Sequence, residues 1–443
     1  MKLWQKDYEI QKLVEEFTIG KDPQLDLELA RFDILGSLAH TQMLTQVGLI
    51  SHKDGNKLKE ELKKIYHEIQ SGVYQIDPGV EDIHSQVELT LTDRLGEVGK
   101  MIHTARSRND QALLDIRLFL RYEIQQIVVL VEDLFDQLLS LSQQHQEVPL
   151  PGYTHLQVAM PSSFGLWFAA YAESLVDDLQ LLQATYKVIN KNPLGSAAGY
   201  GSSLPINRQL TTDLLGFESL NYNVVYAQFG RGKSEWMVSS ALSSIAGTLN
   251  KLASDICLFM SQNFNFVSFP DDLTTGSSIM PHKKNPDIFE LIRGKSNKIR
   301  ALPNEISLVT SNLSSGYFRD LQVLKENFLP SIQTLKECLR IASYALKQIS
   351  VNQNILDNPI YQHLYSVEVV NQEVINGVPF REAYQKVAKL IEEGKLPQKP
   401  KVSYTHEGSL GNLCNDQIGN AMVVVIKGFD FEKPGKALAQ LLK

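Results

Sequence analysis

Four short segments of this 443-residue chain combine side chains that helix packing does not require. Glu81-Asp82-Ile83-His84-Ser85-Gln86-Val87-Glu88 sets acids around an imidazole, directly after a Pro78-Gly79 turn. Thr104-Ala105-Arg106-Ser107-Arg108-Asn109-Asp110-Gln111 alternates planar cations with hydroxyl and amide groups. Pro151-Gly152-Tyr153-Thr154-His155-Leu156-Gln157 carries a histidine in a turn at the junction of two helices. Thr275-Gly276-Ser277-Ser278-Ile279-Met280-Pro281-His282-Lys283-Lys284-Asn285-Pro286-Asp287 is a loop with a glycine hinge, two hydroxyls and adjacent cations.

The chemistry available to these groups is anion capture and proton transfer. In the fourth segment, Asn285-Pro286 reads as a helix N-cap followed by proline at the first helical position. A helix start, loop amides and Lys283 together suit a carboxylate; a glycine-rich connector with a solvated lysine pair is the plain alternative. In the second segment Ser107 or Asn109 can cap a helix, and Arg106 and Arg108 can meet a dicarboxylate through planar donors. The two roles are compatible. His155 stands in a turn rather than on an apolar face, so a partner carboxylate would let it move protons near neutral pH; without one it is a structural histidine. The histidines show no HExxH or similar spacing, and no metal is expected.

Long helices must position these groups. No Gly or Pro occurs between Lys100 and Val148, and Ile116, Leu120, Ile124, Ile127, Val131, Leu134, Leu138 and Leu141 recur at alternating spacings of three and four. That seam predicts a helix over about 109–145, roughly 55 Å long at 1.5 Å per residue, which cannot bury its stripe alone. Helical stretches follow over 162–192, 233–263 and 287–313, with a kink or break expected near Pro303. The stretches 322–329 and 331–358 meet at Pro330, as one kinked helix or two. Five long helices in succession make a bundle, and the fold class is all-α. Shorter patterns on either side place domain boundaries near 105 and 355, giving an N-terminal helical domain (1–105), a central bundle (106–355) and a small C-terminal helical domain (356–443).

Composition narrows the function classes. A net charge of −7 leaves no basic excess for phosphate backbones, so no nucleic acid is expected. Cys257, Cys338 and Cys414 are far apart, without CxxC spacing, and read as reduced thiols of a cytoplasmic protein. The N-terminus has no apolar h-region, and no apolar run approaches the roughly 20 residues of a membrane span.

Taken together, the four segments resemble the signature set of the aspartase–fumarase superfamily. Gly276 to Pro286 is similar to its mobile GSSxMPxKxNP loop. The EDIHSxVE, TxRSRNDQ and PGYTHLQ patterns resemble the argininosuccinate lyase branch in particular, and the likeness runs from about Asp33 to Arg381. It implies β-elimination of argininosuccinate to arginine and fumarate, the last step of arginine biosynthesis, without a cofactor. It also implies a homotetramer of three-domain subunits around a core of about twenty helices, with each active site shared among three subunits. By motif, Ser277 matches the catalytic serine, His155 the catalytic histidine, Glu290 its carboxylate partner, and Lys283 and Asn285 the residues that hold the succinyl carboxylates. Ser107, Arg108, Asn109, Thr154, Tyr317, Gln322, Lys325, Asp82 and His84 match substrate-binding positions. The resemblance makes Ser277 the base and His155 the acid, with the reverse as the alternative.

Several positions depart from the family pattern. Leu3-Trp4-Gln5-Lys6 replaces a GGRF-like start, and Asp22 takes the place of a substrate-binding serine, so it receives no role. His282 replaces a Gln, Arg231-Gly232 an Arg-Asp pair, and Gln322-Val323-Leu324-Lys325 a QEDK run. These bear on substrate detail more than on reaction class. The rival readings are another lyase of the superfamily (fumarase, aspartase, adenylosuccinate lyase or a carboxymuconate cycloisomerase), a non-catalytic scaffold of the kind recruited as lens crystallin, and a lyase whose substrate is acylated at the arginine end.

Overall fold

The computed structural model describes residues 12–397 and 404–443; Leu3–Lys6 and the end of the Lys395–Pro400 stretch lie outside the described residues. Five long helices dominate: α1 (Arg108–Gln144), α2 (Phe164–Ile189), α3 (Lys233–Phe259), α4 (Asp287–Thr310) and α5 (Lys325–Leu346). All eight residues of the predicted α1 seam are buried, against α2 and α5 and against an N-terminal helix over Asp22–Gln46. The fold is the expected all-α bundle, trimmed among the described residues by three two-stranded β-pairs.

Helix starts follow local chemistry. Ser107 and Asp110 form a reciprocal capping box on α1: the Ser107 Oγ accepts from the Asn109 amide at 3.3 Å, and Asp110 Oδ1 accepts from the Ser107 amide at 2.9 Å. Ser163 caps α2 by accepting from the Leu166 amide. The helices continue through both prolines. Pro303 lies inside α4 and Pro330 inside α5, because the flanking Leu302, Ile306, Leu329 and Ile332 are all buried and packing holds the axis where a local hydrogen bond is missing. At α4 the predicted cap is replaced: the helix opens at Asp287 with no side-chain cap. Asn285 instead closes the preceding loop, its amide donating to the Thr275 carbonyl at 2.8 Å.

Between α1 and α2 stands a hairpin rather than a simple turn, Pro149–Thr154 against Gln157–Ser163. Its two-residue tip, His155-Leu156, has φ of 55° and 58°, a left-handed pair that closes a hairpin but is unfavourable for side chains other than Gly or Asn. Tyr153 anchors the hairpin through a 2.9 Å hydrogen bond between its hydroxyl and that of Tyr361, and by an edge contact with Phe264.

The main apolar core runs through the bundle and the N-terminal helices, and takes in Ile418, Met422, Val425, Phe429 and Leu441 from the end of the chain. Val369, Val370, Ala383 and Val387 form a separate small cluster. No helix among the described residues is long and apolar enough to cross a membrane.

Candidate active site

One cavity of about 600 Å³ gathers residues from five parts of the chain: Asp22 and Asp26, Glu81 to Glu88, His103 to Ala112, Arg231, and Tyr317 to Lys325. Asp82, His84, Ser107, Arg108, Asn109, Tyr317, Gln322 and Lys325, separated by up to 243 positions, thus line a single space.

Each wall is built from a helix end or turn. Asp82 is the N-cap of the Ile83–Leu95 helix, one oxygen accepting from the Ser85 amide at 2.8 Å; its other oxygen pairs with Arg108. Arg108 also donates to Glu81 at 3.1 Å, and Glu81 pairs in turn with Arg319. The Asp82 carboxyl is held below the usual carboxylate range: burial works against this, but His84, Arg108 and the Ser85 amide outweigh it. Across the cavity the buried Lys325 Nζ stands 2.6 Å from Asp26 and 2.8 Å from Asp22. Gln322 is fixed by donating to the carbonyls of Thr18 and Ile19 and accepting from Arg319.

His84 is set deeper. Its Nδ1 meets Asp33 at 2.8 Å, and Asp115 lies 3.6 Å away. Burial alone would lower its pKa, but the Asp33 hydrogen bond and the charges of Asp33, Asp115 and Asp82 raise it to about 9. Burial, with Asp33 beside it, pushes the Asp115 carboxyl well above its ordinary value. Asp33, His84 and Asp115 bring ligand-type atoms within 4.8 Å of one another, and the 2.8 Å contact between Asp33 and His84 has the length of a hydrogen bond.

The remaining predicted residues do not line this cavity. Thr154 and His155 sit exposed at the hairpin tip, and the His155 ring makes no hydrogen bond among the described residues. In the 275–285 loop the Ser277 Oγ accepts from the amides of Met280 at 3.2 Å and Ile279 at 3.4 Å. Lys283 and Glu290 are exposed and form no ion pair among the described residues, whereas Lys284 pairs with Asp271. Asn285 closes the loop base through Thr275. Sequence reasoning gave no individual role to Asp26, Glu81 or Arg319, although Glu81 stands in the first segment. Asp22 and Asp26 are four residues apart on one helix face, a weak sign that both meet one cation.

Bundle and charged cavity together define a member of the aspartase–fumarase superfamily: residues 7–301 match the family model described as Lyase. The chain belongs, within it, to the argininosuccinate lyase family. It is 58% identical to an argininosuccinate lyase of Parabacteroides distasonis over 441 residues, 100% of this chain and 99% of that one. A Thermotoga neapolitana argininosuccinate lyase is 39% identical over 387 residues, 87% of this chain and 97% of the relative. The fold is shared with an EDDS lyase solved in complex with formate, at a TM-score of 0.78 and 22% identity, over 94% of this chain and 90% of that one.

Proposed function

We propose that this chain is an argininosuccinate lyase, releasing L-arginine and fumarate by β-elimination. The observation that carries the reading is the charge pattern of the cavity. Its cations, Arg106, Arg108, Arg231, Arg319, Lys325 and the protonated His84, are interspersed with five acids, Asp22, Asp26, Glu81, Asp82 and Glu88. A site for malate or another simple dicarboxylate needs cations alone, and buried acids there would repel it. A substrate bearing several carboxylates together with a guanidinium and an ammonium matches both signs.

In the proposed reaction a base removes the proton from the succinyl carbon beside a carboxylate. The electron pair moves into that carboxylate to give a doubly charged aci-form, and its return expels the guanidino nitrogen, which takes up a proton. Ser277 is the base: two amides already point at its Oγ and favour the alkoxide. Lys283 and Asn285 stabilise the aci-carboxylate, and His155, oriented by Glu290, protonates the leaving nitrogen. Asp82, His84, Ser107, Arg108, Asn109, Thr154, Tyr317, Gln322 and Lys325 hold the substrate. Because Ser277, Lys283, His155 and Glu290 lie outside the cavity that gathers eight of the binding residues, we assign complete sites to a homotetramer in which chains exchange these pieces. The domain partition at 105 and 355 and a cytoplasmic setting, in keeping with three free cysteines, belong to the same proposal.

Argininosuccinate added to the purified enzyme should yield fumarate, followed by its ultraviolet absorbance, and Ser277→Ala should lose at least about 10³-fold in kcat with KM nearly unchanged. Turnover by that variant within a few-fold of the parent removes Ser277 as the base. Binding of argininosuccinate by the parent without fumarate release favours the scaffold reading.

A further inference from the structure

We infer that Asp22 makes this site selective for a substrate whose α-amino group is free, by accepting a hydrogen bond from that ammonium. The inference rests on the reading of the cavity as the argininosuccinate site and specifies which end chemistry it takes. Lys325 is buried between two carboxylates, Asp26 at 2.6 Å and Asp22 at 2.8 Å. One cation facing two anions leaves the corner with a surplus negative charge. The two acids differ in what else they hold. The second oxygen of Asp26 accepts from the Ile83 amide, at 3.4 Å, so its lone pairs serve the helix start. Asp22 has no other hydrogen-bond donor than Lys325 among the described residues, and it lines the cavity. It therefore carries spare acceptor capacity facing the ligand space.

An α-amino acid bears its ammonium and carboxylate on one carbon, about 3 Å apart. Lys325 Nζ and Asp22 Oδ1, 2.8 Å apart, present the complementary pair of charges at the same spacing. The ammonium would stand on Asp22 and the carboxylate on Lys325, and an arriving zwitterion would satisfy both partners without leaving either charge alone. An acylated amine offers one neutral N–H and a bulky group. It would leave the spare acceptor capacity of the buried Asp22 carboxylate unfilled, with Lys325 as its one donor among the described residues, which is costly. Burial, more than the nearby Asp26, holds the Asp22 pKa up at about 6 against the pull of Lys325 and Arg231, so the carboxylate is charged at neutral pH yet poorly solvated and gains from a cationic partner.

The test uses the whole oligomeric enzyme and two ligands, L-arginine and Nα-acetyl-L-arginine, by calorimetric titration at pH 7.5, alongside fumarate release from argininosuccinate. The unaltered enzyme should bind arginine about tenfold or more tightly than its acetyl derivative. Asp22→Asn, nearly isosteric, should lose most of that ratio and raise KM for argininosuccinate with little change in kcat; Asp22→Glu should keep the preference. A merely structural role would weaken both ligands alike and leave their ratio intact. Equal binding of the two ligands by the unaltered enzyme, binding of neither, or a ratio unchanged in Asp22→Asn overturns the inference. Fumarate release is read separately, so loss of the proposed reaction cannot be mistaken for loss of α-amino discrimination.

Discussion

At the residue scale the cavity keeps its charges by pairing each with something in the protein. His84 is the clearest case, because it is buried and yet held as a cation by Asp33, 2.8 Å away. A folded-state pKa of about 9, against an ordinary 6.5, has a defined sign. The proton stabilises the fold fully below pH 6.5, and that contribution is lost as pH rises through about 9. Thermal stability should therefore decline across that interval, less so in His84→Gln. In Asp33→Asn the hydrogen-bonded anion is gone and burial should dominate, so the His84 ring, followed by carbon NMR, should titrate well below 9. A ring still titrating near 9 in that variant would transfer the effect to Asp115 and Asp82.

At the scale of elements, one residue joins the start of α1 to the loop that follows α2. Asp110 caps α1 with one oxygen and with the other accepts from the amides of Gly195, at 2.9 Å, and Ala197, at 3.0 Å. Fully buried, it has no water to replace those donors. Asp110→Ala should cost about 2–4 kcal/mol in a denaturant titration, well above the ~1 kcal/mol of an ordinary cap; a loss within the ordinary range would show that the 195–197 amides find other acceptors. Ser107→Ala should cost only the cap, yet it also removes a hydroxyl from the cavity wall. Capping and a place on the cavity wall, compatible roles by residue type, coexist at Ser107. The hairpin tip is the other notable element: His155 and Leu156 both adopt positive φ, and strain of this kind persists where surrounding structure holds it.

At the scale of the whole molecule the bundle is unfinished as a single chain. Leu181, Trp236, Leu258, Leu291, Leu308 and Tyr344, on α2 to α5, are 38–64% exposed. In the homotetramer proposed above, helices of other copies would cover these side chains. The expected assembly is a tetramer by analytical ultracentrifugation. The proposed sharing of sites has its own consequence. Lys325 lies in the cavity of one chain, and Ser277 lies outside it. Separately inactive Ser277→Ala and Lys325→Met chains, unfolded and refolded together, should form mixed oligomers in which some sites carry neither lesion, with partial recovery of fumarate release. No recovery, with mixed oligomers demonstrated by mass, would place both residues on the same chain at each site.

The bundle was legible in the residues because its determinants are local: an unbroken stretch from Lys100 to Val148, a three–four apolar alternation, and a Ser-Arg-Asn-Asp cap. The motifs were legible for a similar reason, being short and contiguous. Where local rules misled, packing had the final say. Asn285 closes a loop instead of capping a helix, and at Pro330 packing selects one helix from the two arrangements the residues allow. What no stretch of sequence could disclose is the meeting of distant charges. Asp26 reaches Lys325 across 299 positions, and Arg319 reaches Glu81 across 238. A hydrogen bond depends on separation in space, and only the folded backbone sets that separation once many weak, long-range contacts have been satisfied together. Residue types alone thus determined the helical class and the reaction chemistry on offer, while tertiary structure decided which charges face one another in the cavity and that Asp22 is among them.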